Sequence, residues 1–264
     1  MSGGGRGRQQ VVWITGASSG LGRALALRFA QDGARVVASA RGEKDLRALS
    51  AEAEELPGRV VVFPLDVTDS VAFATAVERV EAEYGTVAQL VLNAGTHIPV
   101  DARNFNSEDF QKLLDVNVMG VVNGLEALLP RMRARKGGRI AVVASLSGYR
   151  GLPSAAGYGL TKAGLINLCE ALRPELELDG ITLQVVNPGF VRTPLTDKNA
   201  FSMPFLMELE DAADAFYRGL RSDRFEIVFP RRFAYILKLL QRLPYALYFP
   251  VTRRIARNIR ERAA

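Results

Sequence analysis

A tyrosine, a lysine and a serine have the spacing of a proton-transfer site. Tyr158 and Lys162 stand four residues apart, so on a helix they share one face and the ammonium lies near the phenol. A phenol titrates near ~10 in water and is a poor base at neutral pH, but a fixed cation nearby favours the phenolate. Ser145, thirteen residues before Tyr158, can hold a substrate oxygen by a hydrogen bond. The three side chains are suited to moving a proton on or off an alcohol or carbonyl.

A glycine-rich turn near the start of the chain has the features of a phosphate-binding loop. An apolar run ends at Thr15, and three glycines follow with the spacing Gly-x-x-x-Gly-x-Gly: Gly16, Gly20 and Gly22. Such a turn lets a pyrophosphate approach the backbone, and the N–H groups and dipole of the following helix favour the anion. The alternative is a tight strand-to-helix turn that binds nothing.

Together these motifs resemble the short-chain dehydrogenase/reductase family, in its compact single-domain branch. The resemblance runs from Val11 to about Phe229 and includes seven motifs in the family's order. It implies that four residues are catalytic: Asn117, Ser145, Tyr158 and Lys162. It also implies that the cofactor contacts Gly16, Ser18, Ser19, Gly20, Leu21, Gly22, Asp66, Val67, Asn93, Ala94, Gly95, Tyr158, Lys162, Pro188, Gly189, Val191 and Thr193.

The resemblance also implies a role for each catalytic residue. Tyr158 gives its proton to a carbonyl oxygen in reduction or removes it in oxidation, while Ser145 hydrogen-bonds that oxygen. Lys162 lowers the tyrosine pKa and binds the nicotinamide ribose, and Asn117 keeps a water in a proton relay behind Lys162. Three neighbours are expected to be secondary: Tyr149 and His97 as pocket or loop residues, and Ser147 as a second contact.

The end of the second predicted strand bears on the choice of nicotinamide cofactor. A carboxylate there would hold the ribose hydroxyls and repel a 2′-phosphate. This chain has Ala40 at that place, followed by Arg41, whose planar guanidinium suits a phosphate, and Ser39 offers a hydroxyl. The pattern favours NADP(H) over NAD(H); the alternative is a solvated arginine on a loop.

Apolar runs alternate with helical patterns, which predicts an α/β fold with a Rossmann-type doubly wound parallel sheet in three layers. Every motif above then lies at the carboxyl end of a strand, where such folds bind ligands. Strands are predicted at 11–15, 34–39, 60–65, 88–92, 138–144, 181–186 and 225–229. Helices are predicted at 20–31, 43–55, 70–84, 107–115, 117–135, 155–178 and 210–220.

Composition narrows the class of protein further. The chain has 264 residues and 48% apolar residues, enough for one large core, predicted as a single domain over residues 10–230 after a flexible leader over 1–9. A single cysteine, Cys169, excludes a disulfide framework and is expected to be a packing residue, and one histidine argues against a metal centre. No secretory signal is visible, so a cytoplasmic location is expected.

Residues 231–264 form a basic tail beyond the family core. The tail holds nine Arg and Lys against Glu261, so its net charge is +8 while the rest of the chain carries −2. Its basic residues alternate with large apolar ones and no nucleic-acid recognition motif accompanies them, which argues against nucleic-acid binding. Two helices separated near Pro244 are predicted. They form an arm over the pocket or against another subunit, or an amphipathic surface at 231–262 that contacts an anionic membrane, and both descriptions can hold together.

The substrate is predicted from the segment after Thr193, a mobile lid in the family. Its apolar, Met-containing sequence as far as Met207 favours an apolar carbonyl or alcohol, although the same residues also suit ordinary packing. The leading interpretation is an NADP(H)-dependent carbonyl reductase or alcohol dehydrogenase, forming a homo-oligomer (dimer or tetramer). The alternatives are an epimerase or dehydratase of the extended branch, and a cofactor-sensing or scaffold protein that retains the fold.

Overall fold

The computed structural model describes residues 10–194, 196 and 203–263. The predicted leader at 1–9 lies outside the described residues, as do Leu195 and residues 197–202 of the predicted lid.

One seven-stranded sheet forms the centre of the fold. Its strands lie in the order β3-β2-β1-β4-β5-β6-β7 and all neighbours are parallel. The order reverses between β1 and β4, where a doubly wound sheet opens a crevice for a ligand. This confirms the predicted fold class. The strands are β1 (Gln10–Thr15), β2 (Arg35–Ser39), β3 (Arg59–Val62), β4 (Thr86–Leu92), β5 (Gly138–Val143), β6 (Ile181–Pro188) and β7 (Glu226–Phe229).

Helices cover both faces of the sheet and complete the three layers. They are α1 (Gly20–Gln31), α2 (Glu43–Glu52), α3 (Ser70–Glu83), α4 (Ser107–Leu114), α5 (Gly120–Ala134), α6 (Ala156–Leu178), α7 (Leu209–Leu220), α8 (Arg231–Arg242) and α9 (Tyr245–Ala263). Core residues of α3, α5 and α6 pack on one face, and those of α1, α2 and α7 on the other.

The strands carry almost continuous apolar runs because both of their faces are buried. Trp13 on β1 is fully buried, and its ring centroid lies 6.1 Å from that of Phe63 and 5.5 Å from that of Phe73. Cys169 on α6 is buried in the same core, and burial raises the pKa of its thiol to about 12. A thiol in that environment is a packing residue rather than a nucleophile.

The helices predicted at 107–115 and 117–135 form one continuous helical stretch instead. A π-helical segment, Asp115–Met119, joins α4 directly to α5. By length and composition the combined stretch, Ser107–Ala134, would suit a membrane crossing, the one such helix among the described residues. Here Leu125, Leu128 and Met132 of α5 pack into the core against the sheet, as in a core helix.

The tail forms the two predicted helices, α8 and α9. Phe233 and Leu237 of α8 are buried against Leu146 and Tyr149, close to the end of β5. The arm interpretation therefore describes how α8 packs.

Candidate active site

The glycine-rich turn joins β1 to α1 at the crevice. Gly16 adopts a φ of +67°, and a Cβ there would lie 2.7 Å from the Cα of Ala94. A Cβ on Gly22 would lie 2.4 Å from the carbonyl oxygen of Gly16. These two glycines are therefore required by close packing of the chain on itself. Gly20, with φ +52°, faces Thr193 across the crevice, where a Cβ would lie 3.3 Å from the Thr193 methyl.

The start of α1 is suited to an anion. Ser19 precedes the helix and makes no capping hydrogen bond with its side chain, and no acidic residue occupies the first turn. The first N–H groups of a helix have no partner within the helix, and they attract phosphate. With Gly20 in a left-handed conformation at this point, the turn fits the pyrophosphate of a dinucleotide. Ser18 and Leu21, also predicted as contacts, are partly exposed beside it.

Asn93 braces the two strands that flank the crevice. Its Nδ2 donates to the carbonyl oxygens of Thr15 and Gly16 at 3.0 and 3.1 Å. The Thr15 hydroxyl in turn accepts from the backbone N–H groups of Asn93 and Ala94 at 3.0 and 3.1 Å. Asn93 thus holds the glycine-rich turn in place, and Gly95 follows at an exposed position.

The predicted adenosine end of the crevice contains Asp66 and Arg41. The Asp66 carboxylate accepts from the backbone N–H and the hydroxyl of Thr68 at 3.0 and 2.8 Å. These bonds and the nearby positive charge of Arg41 hold the pKa of Asp66 below its ordinary value. Arg41 itself is exposed, so its guanidinium is available to a ligand.

Two residues predicted at this end are buried instead. Ser39 is fully buried, and its hydroxyl accepts a hydrogen bond of 2.9 Å from the Trp13 indole. The hydroxyl is therefore used inside the sheet layer, and its predicted contact with the cofactor stays a prediction that this burial disfavours. Val67 is also in the core, against Gly120, and its carbonyl oxygen accepts from Asn123. The Val67 side chain and carbonyl oxygen are thus already in contact with other parts of the protein.

Ser145, Tyr158 and Lys162 come together at the end of β5. Tyr158 and Lys162 lie on one side of α6, with the Lys162 Nζ 5.5 Å from the centroid of the tyrosine ring. The Ser145 hydroxyl lies close enough to the Tyr158 phenol to lower its pKa. The Lys162 ammonium donates to the carbonyl oxygen of Val143 at 2.8 Å, and Lys162 is only 3% exposed.

Burial controls the ionisation of this group. It raises the pKa of the Tyr158 phenol above its ordinary value, and the nearby Ser145 hydroxyl only partly opposes it. Burial also lowers the pKa of Lys162 to about 7. The predicted lowering of the tyrosine pKa by Lys162 stays a prediction; burial acts in the opposite direction, because removal of both groups from water favours their neutral forms.

Asn117 lies in the π-helical segment and is fully buried. Its Oδ1 accepts from the Thr96 N–H at 2.7 Å, and its Nδ2 donates to the Thr96 carbonyl oxygen and the Thr161 hydroxyl at 3.0 and 3.1 Å. The Asn117 side chain therefore ties the loop after β4 to α6, close to Lys162. The predicted relay through a water remains a prediction, since these protein groups already occupy the amide.

The segment after β6 closes the site on the other side. Gly189 donates its N–H to Phe229 at 2.7 Å, and Val191 is buried in the core. The backbone N–H of Thr193 donates to the hydroxyl oxygen of Thr196 at 3.0 Å. Pro188, at the end of β6, lines the same cavity as Ser145.

A cavity of about 650 Å³ opens above the Ser145 and Tyr158 hydroxyls. Its size is within the range of small-molecule sites. His97 and Ser147 line it, as predicted, whereas Tyr149 does not: it is buried below and donates its hydroxyl hydrogen bond to Glu226. Most of the wall is apolar, and much of it comes from the tail: Phe233, Ile236, Leu237, Leu239, Leu240, Leu243, Val251, Ile255 and Ile259.

Sequence reasoning missed the residues that fix the tail over this cavity. Glu226 on β7 accepts from Tyr149, from Asn187 at 2.9 Å, and from Lys238 of α8. Arg150 donates to carbonyl oxygens at the end of α8. The signal available in the sequence was a single lysine, Lys238, on the otherwise apolar buried side of a helix.

Comparison with known proteins agrees with this fold. The sequence profile of the short chain dehydrogenase family matches residues 10–202. The chain belongs to the short-chain dehydrogenase/reductase family and is an oxidoreductase of that family, which binds a nicotinamide cofactor.

Two relatives and one solved structure illustrate the likeness. An uncharacterized oxidoreductase of Myxococcus xanthus is 38% identical over 93% of this chain and 97% of its own length. A 3-oxoacyl-(acyl-carrier-protein) reductase of Thermotoga maritima is 38% identical over 72% of this chain and 77% of its own. A short-chain dehydrogenase of Sphingobium yanoikuyae, solved in complex with NADPH, is 27% identical with a TM-score of 0.76, covering 90% of this chain and 97% of that one.

Proposed function

We propose that this protein is an NADP(H)-dependent oxidoreductase that interconverts a carbonyl and an alcohol on an apolar substrate, with Tyr158 as the acid and base. The observation that carries the proposal is the cavity itself. Its polar end holds the hydroxyls of Ser145 and Tyr158, and its remaining wall is mostly apolar. A substrate with one oxygen and an apolar body is complementary to such a site.

The cofactor would lie along the edge of the sheet. The residues that would hold it are the turn at Gly20, the loop at Gly95, Lys162 and the segment from Pro188 to Thr193, with Arg41 at the adenosine end. When bound, the dinucleotide supplies or accepts the hydride. Exposed Arg41 and the absence of a carboxylate at Ala40 support NADP(H), and the Sphingobium structure contains NADPH.

In the reductive direction the protein supplies the proton. Ser145 donates a hydrogen bond to the carbonyl oxygen, and the Tyr158 phenol transfers its proton to that oxygen as the carbon gains a hydride. Because burial raises the pKa of Tyr158, the phenol carries its proton near neutral pH and is ready to donate. Lys162, when protonated, stabilises the phenolate left behind. Oxidation uses the same groups in reverse, with the phenolate as the base.

The substrate class follows from the shape of the cavity. A volume of about 650 Å³ with an apolar wall suits a medium-length or long acyl or alkyl chain bearing a carbonyl. The 3-oxoacyl reductase among the relatives acts on a substrate of this general kind. The lining of the cavity supports this reaction better than it supports the alternatives, which are an epimerase or dehydratase and a non-enzymatic protein with the same fold.

We also infer a cytoplasmic protein and a homo-oligomer, dimer or tetramer. Phe105, Met119 and Leu160 are 66%, 45% and 53% exposed and lie outside the cavity, so they offer apolar surface for contact between copies. Light scattering of the purified protein measures the number of subunits.

The function is tested with NADPH and a carbonyl panel that contrasts short-chain ketones, long-chain ketones, 3-oxoacyl thioesters and sugars. Long-chain compounds should be reduced with the highest kcat/KM. Tyr158→Phe keeps the ring but removes the proton donor, so kcat should fall by about 10²- to 10⁴-fold while NADPH binding persists. Tyr84→Phe is the matched control outside the cavity and should retain kcat. Wild-type turnover by Tyr158→Phe would contradict the assignment.

A further inference from the structure

The mouth of the cavity lies between the two helices of the tail. Ile236 and Leu239 of α8 and Val251 and Ile255 of α9 all line the cavity. The same four side chains are 51%, 67%, 44% and 37% exposed. They therefore form a continuous apolar path from the surface of the molecule into the substrate site.

The surface around this mouth is also apolar. On α8, Arg232, Tyr235, Ile236, Leu239 and Arg242 recur three or four residues apart and form one outward stripe, apolar in the middle and cationic at its ends. Of the fourteen large apolar side chains that are exposed in the described part of the chain, eight belong to α8 and α9. Single exposed apolar residues are ordinary, but a cluster of this size marks an interaction surface.

The helix that carries part of the apolar cluster also carries exposed positive charge. Exposed arginines on α9 include Arg253, Arg254 and Arg257, in the same helix as the exposed Leu247 and Phe249. Among the side chains that the structure describes, these three arginines form no ion pair with an acidic group. The tail as a whole carries a net charge of +8.

We propose that the outer face of α8 and α9 lies on an anionic membrane surface, with the cavity mouth against the bilayer, so that a membrane-resident substrate enters the active site directly. This inference rests on the proposed function for the identity of the site.

The physical basis is the combination of apolar burial and charge. Exposed tyrosine and phenylalanine rings suit the level of the lipid headgroups, leucine and isoleucine suit the region below them, and arginines are attracted to anionic lipids. A mouth lined by Ile236, Leu239, Val251 and Ile255 would let an apolar chain move from lipid to cavity without crossing water. A second copy of the chain is a poor occupant, because it would bring together two tails that each carry a net charge of +8.

Vesicle binding by the full chain tests the membrane contact. The protein should co-sediment with phosphatidylcholine vesicles that contain phosphatidylserine, and not with phosphatidylcholine alone, and binding should weaken as salt rises. The variant R253Q/R254Q/R257Q should lose on the order of a hundredfold in partitioning at low salt. The matched control K112Q/R59Q/R224Q removes three exposed cations elsewhere and should bind like the wild type.

A second variant tests the apolar part of the surface. Tyr235→Ser with Leu247→Ser keeps every arginine and lies outside the cavity wall, and it should also weaken vesicle binding by roughly tenfold or more. Melting temperatures near that of the wild type would show that both variants fold. Absence of binding to anionic vesicles, or equal binding by the wild type and the arginine variant, overturns the proposal. The proposal is also overturned if the serine variant binds vesicles like the wild type but has a different number of subunits.

Turnover separates this inference from the proposed function. With NADPH, the arginine variant should reduce a water-soluble short-chain ketone at the wild-type rate but a long-chain ketone embedded in anionic vesicles at least tenfold more slowly. Wild-type rates on both substrates overturn direct entry from the bilayer and leave the reductase assignment standing. Failure of the wild type on every carbonyl in the panel refutes the assignment itself, whatever the vesicles show.

Discussion

Arg150 is expected to hold the corner between α8 and α9 over the active site. One of its guanidinium nitrogens donates to the carbonyl oxygens of Leu240, Gln241 and Leu243 at 2.7, 2.9 and 2.6 Å. The guanidinium carbon also lies 3.8 Å from the centre of the Tyr248 ring. Arg150 thus satisfies the carbonyls at the end of α8 and contacts α9 at the same time.

The free energy that Arg150 contributes to holding this corner closed follows from these contacts. A hydrogen bond from a charged group contributes about 1.5–3 kcal/mol, and a cation–π contact at a partly exposed site adds about 0.5–1 kcal/mol. Three bonds that share one nitrogen are not additive, and the carbonyls can turn to water once Arg150 is gone. We therefore expect Arg150→Ala to cost about 2–3 kcal/mol at the corner, which is roughly a 30- to 150-fold change in its opening equilibrium.

Hydrogen exchange measures that opening locally. The N–H groups of Leu247 and Tyr248 donate to the carbonyl oxygen of Pro244, so their exchange rates measure how often the corner between α8 and α9 opens. In Arg150→Ala both amides should exchange roughly 30- to 150-fold faster, whereas amides of β4 in the sheet should not change. Arg150→Lys keeps the charge but lacks the planar fork, so its effect should be smaller.

Arg139→Ala is the matched control for a lost guanidinium. Arg139 also donates to a backbone carbonyl, that of Ser222, but its hydrogen bonds go to Ser222 and Asp223 and not to α8 or α9. This variant should leave exchange at Leu247 and Tyr248 unchanged. If Arg150→Ala leaves those amides at the wild-type rate, or accelerates the whole sheet equally, Arg150 is not a local clamp and the reasoning fails.

Two further predictions concern the cofactor and the anchor of α8. Arg41→Ala should weaken NADPH binding by roughly ten- to a hundredfold and NADH binding hardly at all, because a charge-assisted contact is lost only where the 2′-phosphate exists. Arg59→Ala serves as the control. Equal losses for both cofactors would exclude Arg41 as the residue that binds the 2′-phosphate. Glu226 has a lowered pKa in spite of its burial, because it accepts hydrogen bonds from Lys238, Tyr149 and Asn187, so its stabilising effect is present above its unfolded pKa near ~4.3 and is lost as the pH falls through the lower folded pKa. Glu226→Gln should therefore lower the free energy of unfolding at pH ~7 by about 1–3 kcal/mol, with a flatter acid branch of the melting-temperature profile; a variant as steep as the wild type below pH ~5 would show that another carboxylate dominates.

The sequence was sufficient for the sheet and for bringing most of the candidate site residues together. Apolar runs without alternation identified buried parallel strands, and the chemistry fell at their carboxyl ends, where Ser145, Tyr158 and Lys162 meet. These inferences succeed because spacing along a helix and the position of a strand end are local properties. Each of them is visible in a short window of sequence.

Properties that depend on distant packing were not predictable in the same way. The break expected between the helices at 107–115 and 117–135 is a π-helical segment, since nothing in the local pattern distinguishes one extra residue in a turn from a new helix start. Ser39 lies next to a predicted loop, and only the partner Trp13 on another strand shows that its hydroxyl is used inside the core. The direction of the Tyr158 pKa depends on how much protein surrounds the phenol, which spacing to Lys162 cannot reveal.

The division of labour along the chain has an evolutionary consequence. The residues proposed for proton transfer and cofactor binding all precede residue 194, whereas the far wall of the cavity is built by α8 and α9, after residue 230. A change in the final segment can therefore alter which molecules are accepted while leaving the reaction chemistry intact. Grafting the terminal helices of a relative onto this chain, with Arg150 and Glu226 retained as fixed attachment points, offers a route to new substrate ranges by exchange of one contiguous stretch of gene.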